Sequence, residues 1–212
     1  MIIENAGGVD NELRSVPEPS EHRRSTGNNM RRFVITGAPG AGKTAILRHL
    51  ELDGFGVVEE AATDIIAVAH ARGTSEPWRD PAFIDAVARL QRERQIRGAY
   101  LPDEIQFHDR SVVCTVALAA YLGHALSPFL TSELERVRRE GVYEREVFFI
   151  RNLGHITPTA ARRITFEESL KFEKVHEDTY RKFGFELLPI VPGKVGERVD
   201  AIRGAIPKAQ NG

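Results

Sequence analysis

The 212-residue chain has a single cysteine, Cys114, and a single tryptophan, Trp78. One cysteine excludes an internal disulfide, so the fold must rest on packing, and a reducing cytoplasm is the compartment that suits it best. Neither sign of charge is in excess: 29 Lys and Arg face 30 Asp and Glu, for a net charge of -1. That excludes a broadly basic surface, so neither nucleic acid nor an anionic membrane is demanded as a partner. The longest apolar run, VVCTVALAAYLG, is too short to span a bilayer. No basic-then-apolar signal pattern opens the chain. The seven histidines show no metal-ligand spacing, and no structural metal is expected from them. Internal repeats and heptads are also missing. What is present is ordinary for a globular protein: 42% hydrophobic and 28% charged residues. The length fits one well-buried domain with a tail.

Residues 1–29 are rich in Gly, Pro, Ser, Asn and charge and have almost no apolar periodicity. They read as a flexible leader, with a domain over 30–208 and a short tail over 209–212. From Arg31 onward, strands and helices alternate. The strand segments are RRFVIT, FGVVEE, EIQFHD, REVFFIRNL and FELLPIV. Between them lie helical segments, among them KTAILRHLEL, ATDIIAVAHARG, SVVCTVALAAYL, TSELERVRREG and TFEESLKFEKVHEDTYRKFG. Asp80 reads as an N-cap with Pro81 at the first helical position of a further helix running to Gly98. TSEPWR before it reads as a loop, and GERVDAIRGAI as a closing helix. Alternation of this kind predicts an α/β fold, a parallel sheet with helices on both faces.

ITGAPGAGKT, residues 35–44, carries the most chemistry. It follows a predicted strand and opens a predicted helix, the context a P-loop requires. Gly37, Ala38, Pro39, Gly40, Ala41 and Gly42 let backbone amides wrap phosphate oxygens, aided by the amides of Lys43, Thr44 and Ala45 at the helix start. Lys43 is placed to reach the β- and γ-phosphates, and the Thr44 hydroxyl to ligate Mg²⁺.

Three other segments supply charge. FHDRS ends the third strand, and its Asp109 suits the Mg²⁺ shell as a strand-end carboxylate. Arg110 is expected to point the other way, and a structural Asp–Arg pair is the competing reading. VVEE closes the second strand and presents Glu59 and Glu60 to opposite sides, so one of them can face the crevice and accept an acceptor proton. The competing role is a charge at the N-terminus of the next helix. TAARRIT carries Arg162 and Arg163, whose forks suit a transferring phosphoryl group, as against a solvated basic turn. Arg151 is a weaker candidate for that role. Gln91 could hydrogen-bond an acceptor, although its spacing favours a polar surface position, and Trp78 could line an acceptor pocket, although loop packing is the favoured reading.

The ordered set ITGAPGAGKT, VVEEAATDII, EPWRDPAFID, LQRERQ, FHDRSVVCTVALAAYLG and PTAARRITFEESLKFEKVHEDTYRKFGFELL resembles the AAA_28 group of P-loop proteins. These are NadR-type and nucleoside-kinase-like ATP-binding domains, and the likeness covers about residues 31–205. It implies a thymidylate-kinase-like P-loop NTPase fold, a three-layer sandwich on a five-stranded parallel sheet. It also implies that DRS serves the acceptor side, that the segment with Arg162 and Arg163 forms a lid, and that Glu60 rather than Glu59 is the general base. Many relatives place an arginine soon after these glutamates, where this chain has Thr63 followed by Asp64. The group includes a nicotinamide riboside kinase domain and a eukaryotic GTP- and phospholipid-binding branch.

Two readings of function follow. In the first, ATP and Mg²⁺ bind at the P-loop and the γ-phosphate passes to the hydroxyl of a small nucleoside- or ribosyl-like acceptor. Lys43, Asp109, Arg110, Arg162 and Arg163 act on the moving group, and Glu60 on the acceptor. In the second, the nucleotide drives an ATPase or GTPase switch with no small acceptor. A Ras-type GTPase is disfavoured, since the chain has no Asn-Lys-x-Asp motif and DRSV lacks a switch glycine. The basic residues at 22–24, 31 and 32 are too short and interrupted a cluster for stable membrane anchoring.

Overall fold

The computed structural model describes residues 30–154 and 165–206. The expected leader and tail lie outside those residues, as do Arg162 and Arg163.

Strand β1 (Arg31–Thr36) is central, because its apolar residues are covered on both sides. β2 (Gly56–Val58), β3 (Ile105–Asp109), β4 (Glu146–Ile150) and β5 (Glu186–Ile190) complete one sheet in the order β2-β3-β1-β4-β5. Every pairing is parallel, with Phe33 opposite Phe107 and Ile35 opposite Phe148. The five-stranded parallel α/β sheet expected from the alternation is therefore present.

Strand alternation splits the core in two. Phe33 and Ile35 point to one face, where Phe107, Phe148 and Ile150 meet α1 (Lys43–Leu52) and α7 (Val195–Ala205). The rings of Phe33, Phe107 and Phe148 pack with centroids 5.7–6.0 Å apart. Val34 and Val147 point the other way. They face α3 (Ala82–Gly98), α4 (Val112–Leu122), α5 (Pro128–Arg139) and the Tyr180 end of α6 (Phe166–Lys182). Helix α2 (Ala62–Ala71) has no fully buried residue and packs at the edge of this second layer.

Local signals explain the boundaries. The Ser111 hydroxyl accepts from the Val113 amide to cap α4, and Gly123 ends that helix in the left-handed region. Thr165 and Glu168 form a reciprocal capping box at the start of α6. Helix α5 begins earlier than TSELERVRREG suggested, because Ser127 caps it and Pro128 takes the first position. Asp80 accepts from the Ala82 amide at 2.9 Å, so α3 starts one residue later than expected. The loop before it contains a short 3-10 turn, Pro77–Arg79.

β2 is shorter than FGVVEE implied. It ends at Val58, because the carbonyls of Glu59 and Glu60 accept from the Arg94 guanidinium of α3 rather than from β3. Among the described residues, no helix is long and apolar enough to cross a membrane.

Gly37 joins β1 to the loop that follows with φ 136°, and a Cβ there would sit 2.2 Å from the Ile150 carbonyl oxygen of β4. That oxygen belongs to the backbone of a core strand and is not a flexible side-chain tip. Gly37→Ala is expected to destabilise the protein by about 3 kcal/mol or more, read as the midpoint shift in chemical denaturation. A shift under about 1 kcal/mol would show that the two strand ends can part without cost.

Candidate functional site

In an open parallel sheet, ligands collect beyond the carboxyl ends of the strands, where connections leave in opposite directions. Here that point lies beyond β1, whose neighbours are β3 and β4. The loop GAPGAGKT leaves β1 there and runs into α1. Ala38 and Ala41 are fully buried and anchor it from beneath. Gly42 is the N-cap of α1 and offers no side-chain cap, so the first amides of the helix keep their donors free for an anion. Pro39, Gly40, Gly42, Lys43, Thr44 and Ala45 line one end of a cavity of about 700 Å³.

Lys43 is buried, and its Nζ donates to the carbonyls of Gly37 at 3.2 Å and Ala38 at 3.1 Å. Burial lowers its pKa to about 8, and the Arg110 charge beside it pushes the same way. Asp109 and Glu60 pull the other way, but burial and Arg110 outweigh them.

Four charged groups meet at the middle of the cavity. Glu60 Oε1 accepts from Arg110 Nε at 2.6 Å, and Glu60 Oε2 from the Thr63 hydroxyl at 2.7 Å. Burial works to raise the Glu60 pKa, but Arg110 and Lys43 outweigh it and hold the carboxyl below its usual range. Asp109 behaves oppositely. Burial raises its pKa to about 6, against the pull of Lys43 and with the help of the Glu60 charge. Arg110 has φ 73°, a left-handed backbone at the end of β3. That departure from strand geometry turns its side chain into the cavity beside Asp109, so the expected opposite orientation does not hold. Glu59, by contrast, turns out to solvent and pairs with Arg48 at 2.5 Å.

His176 of α6 completes this group. Its Nδ1 lies 2.9 Å from the Phe172 carbonyl and must donate to it, which leaves Nε2 as an acceptor for Arg110 Nη1 at 3.2 Å. Burial lowers its pKa to about 3, and Arg110 adds to the effect, so the ring is neutral. Beneath it, Tyr180 Oη meets Ser111 Oγ at 2.7 Å and Cys114 Sγ at 3.0 Å, which ties α4 to α6.

Beyond Glu60 the walls are mostly apolar. Ile66, Trp78, Phe83, Leu118, Leu122 and Phe172 line them. One polar pair interrupts this surface: the Thr115 hydroxyl donates to Gln91 Oε1 at 2.6 Å. Gln91 and Trp78 are therefore wall residues, the less favoured of the two roles that their sequence contexts offered. A glutamine one helical turn from Val87, which lines the same wall, was the available signal. His176 gave none, because its partner Arg110 is 66 residues away.

The residues present fit a hard divalent cation. Asp109 Oδ1 is buried with no hydrogen-bond partner among the described residues, and Thr44 lines the same cavity. Among the described residues no three His, Cys, Asp or Glu side chains converge as a metal cage. Mg²⁺ does not need one, since it is ordinarily held by one or two protein oxygens with phosphates and water.

Arg151 does not line the cavity. It is held by Glu173 and Glu177 of α6, each at 3.1 Å. Thr63 lines the cavity and serves Glu60 as a hydrogen-bond donor.

The fold has known counterparts. The protein in the crystal structure of NadR with NAD and AMP-PNP superposes with a TM-score of 0.60 at 17% identity, covering 82% of this chain and 49% of that one. Thymidylate kinase from Ehrlichia chaffeensis gives 0.58 at 14% identity, covering 84% and 99%. Deoxyadenosine kinase from M. mycoides, solved with dCMP and dCDP, gives 0.56 at 12%, covering 82% and 97%. The chain thus spans about half of the NadR chain and nearly all of the two kinases. At these identities the likeness is one of fold. A search of curated proteins returns no match. The family model AAA_28, an AAA domain, matches residues 32–198, and the chain belongs to that P-loop family.

Proposed function

We propose that this protein is a kinase that moves the γ-phosphate of ATP to a hydroxyl of a small nucleoside- or ribosyl-like acceptor. The observation that carries the reading is the cavity itself. The cavity of about 700 Å³ runs from the phosphate loop to an apolar wall, with Glu60 and Arg110 between the two ends. A nucleotide switch needs no such second compartment, and its volume suits a small molecule.

The loop amides and Lys43 take the triphosphate. Thr44 and Asp109 would hold Mg²⁺, which supplies neutralising charge to the β- and γ-oxygens. Glu60 has two acceptor positions occupied, by Arg110 and Thr63. A carboxylate has about four such positions, so it can still accept from the acceptor hydroxyl. Its lowered pKa makes it a weak base. That suffices, because phosphoryl transfer runs through a loose transition state in which positioning outweighs proton abstraction. Arg110 sits between both reactants and stabilises charge on the group in flight. Trp78, Phe83 and Phe172 on the wall suit the face of a planar ring, and the Gln91–Thr115 pair suits its polar edge.

The test is acceptor-dependent ADP formation across nucleosides, ribosylated vitamins and sugars, with Mg-ATP as donor. Stimulation by one class is the expected result. Slow ADP formation that no acceptor changes would favour the switch. A parallel titration of ATP against GTP tests the donor, where the expected preference is for ATP.

A proton signature follows from Lys43. With its pKa near 8 in the free protein, about half the population is neutral at pH 8, and a triphosphate favours the charged form. Binding at pH 8 should therefore take up protons, and affinity should weaken above that pH. Calorimetry in two buffers of different ionisation enthalpy reads the uptake directly. Identical heats in both buffers would contradict the assignment of Lys43 to the anion.

A further inference from the structure

We infer that Arg198 of α7 belongs to the donor site, as a buried fixed charge that holds the phosphate loop electropositive from behind. The inference rests on the nucleotide-binding reading above. Arg198 is 3% exposed. Its guanidinium makes one hydrogen bond among the described residues, from Nη2 to the Arg151 carbonyl at 3.3 Å. Nε is buried with no partner among them. Burial alone accounts for its lowered pKa, and no carboxylate pairs with it among the described residues. The acids next to it in α7 make other bonds: Glu197 accepts from the Lys194 amide and Asp200 pairs with Arg203, while Glu173 and Glu177 hold the side chain of Arg151. An arginine does not shed its proton to escape this.

Its position says which anion would balance it. Nη1 lies 3.1 Å from where a Cβ on Gly42 would stand, beside Leu153. The guanidinium therefore packs on the last glycine of the phosphate loop, a residue that also lines the cavity. Gly42 serves two needs there. Its φ of 83° forms the N-cap of α1, and its missing side chain admits the arginine. Arg198 does not line the cavity itself, so it is a positioning residue that acts through the loop on the phosphates. An unbalanced charge in a poorly screened interior acts strongly over that range.

Arg198→Met and Arg198→Gln remove the charge, the second keeping a donor for the Arg151 carbonyl. Arg198→Lys keeps it. Full-length proteins are titrated by calorimetry with ATP, ADP and AMP in excess Mg²⁺, and thermal unfolding is recorded without nucleotide. The two neutral variants should bind ATP at least tenfold more weakly, ADP less affected and AMP least, with Arg198→Lys retaining most of the affinity. Their nucleotide-free unfolding temperature should not fall, because an unpaired buried charge has been removed. Equal loss for ATP and AMP would overturn the inference. So would unchanged ATP affinity with a lowered unfolding temperature, or failure of both neutral variants to fold. If the unaltered protein binds no ATP, the phosphate-loop reading itself fails, a result distinct from each of these.

Discussion

Lys43→Met is expected to lower the rate of phosphoryl transfer on the order of 10³-fold, in line with the loss of a fixed charge on a transferring phosphoryl group. Lys43 is the cation seated at the phosphate loop, and its ammonium hydrogen-bonds to two carbonyls. The same variant should gain stability without nucleotide. The folded protein holds this amine at a pKa of about 8, against an ordinary value of 10.5. Folding therefore disfavours the charged form, and below pH 8 the full penalty applies. It fades as the pH rises from 8 toward 10.5, where the unfolded chain also loses the proton. Methionine keeps most of the stem volume without the charge. Its nucleotide-free unfolding midpoint should exceed that of the unaltered protein at pH 7, and the gain should shrink by pH 10. Loss of activity with a lower midpoint at pH 7 would instead make Lys43 a structural residue.

Glu60→Gln is expected to lower kcat by about 10²- to 10⁴-fold while leaving ATP affinity within a few-fold. The amide keeps the shape of the side chain and can still accept from Thr63, but it lacks the charge that holds Arg110 and would orient the acceptor hydroxyl. Arg110 loses its carboxylate, so some disorder of that guanidinium is part of the effect. Binding and chemistry must therefore be measured apart, in ATP titration and in single-turnover transfer. A parallel loss in both would mean that Glu60 builds the donor site rather than serving the acceptor. An unchanged kcat would remove it from the reaction. Glu59→Gln is the matched control, since Glu59 is solvent-facing and paired with Arg48.

Much of the donor end could be read from the chain alone, because it is contiguous. Ten residues carry the strand end, the loop and the helix start, and local backbone preference sets their shape. The strand count was equally legible, since each strand is a short apolar run between turn signals. Long-range pairings resisted. The turn of Arg110 into the cavity depends on a left-handed backbone at a non-glycine residue, which no propensity scale favours. Arg94 shortens β2 from 34 and 35 residues away, through carbonyls that carry no sequence signal. Gln91 and Trp78 offered an acceptor role only as the weaker of two readings and His176 offered none, because each becomes wall or support only when helices distant in sequence converge. Arg198 is the same case in stronger form, a charged residue in an amphipathic closing helix that the fold buries against the phosphate loop.

The proposed acceptor compartment is what would separate transfer from hydrolysis, and its walls lie on α2, the turn Pro77–Arg79, α3, α4 and α6. The most direct test follows the γ-phosphate itself. In a single turnover with γ-labelled ATP, Mg²⁺ and a mixed panel of nucleosides and ribosylated small molecules, the label is traced by mass spectrometry. It is expected on an acceptor hydroxyl, in a product absent with Lys43→Met. Label recovered wholly as inorganic phosphate, at a rate the panel leaves unchanged, would contradict phosphoryl transfer to a small acceptor.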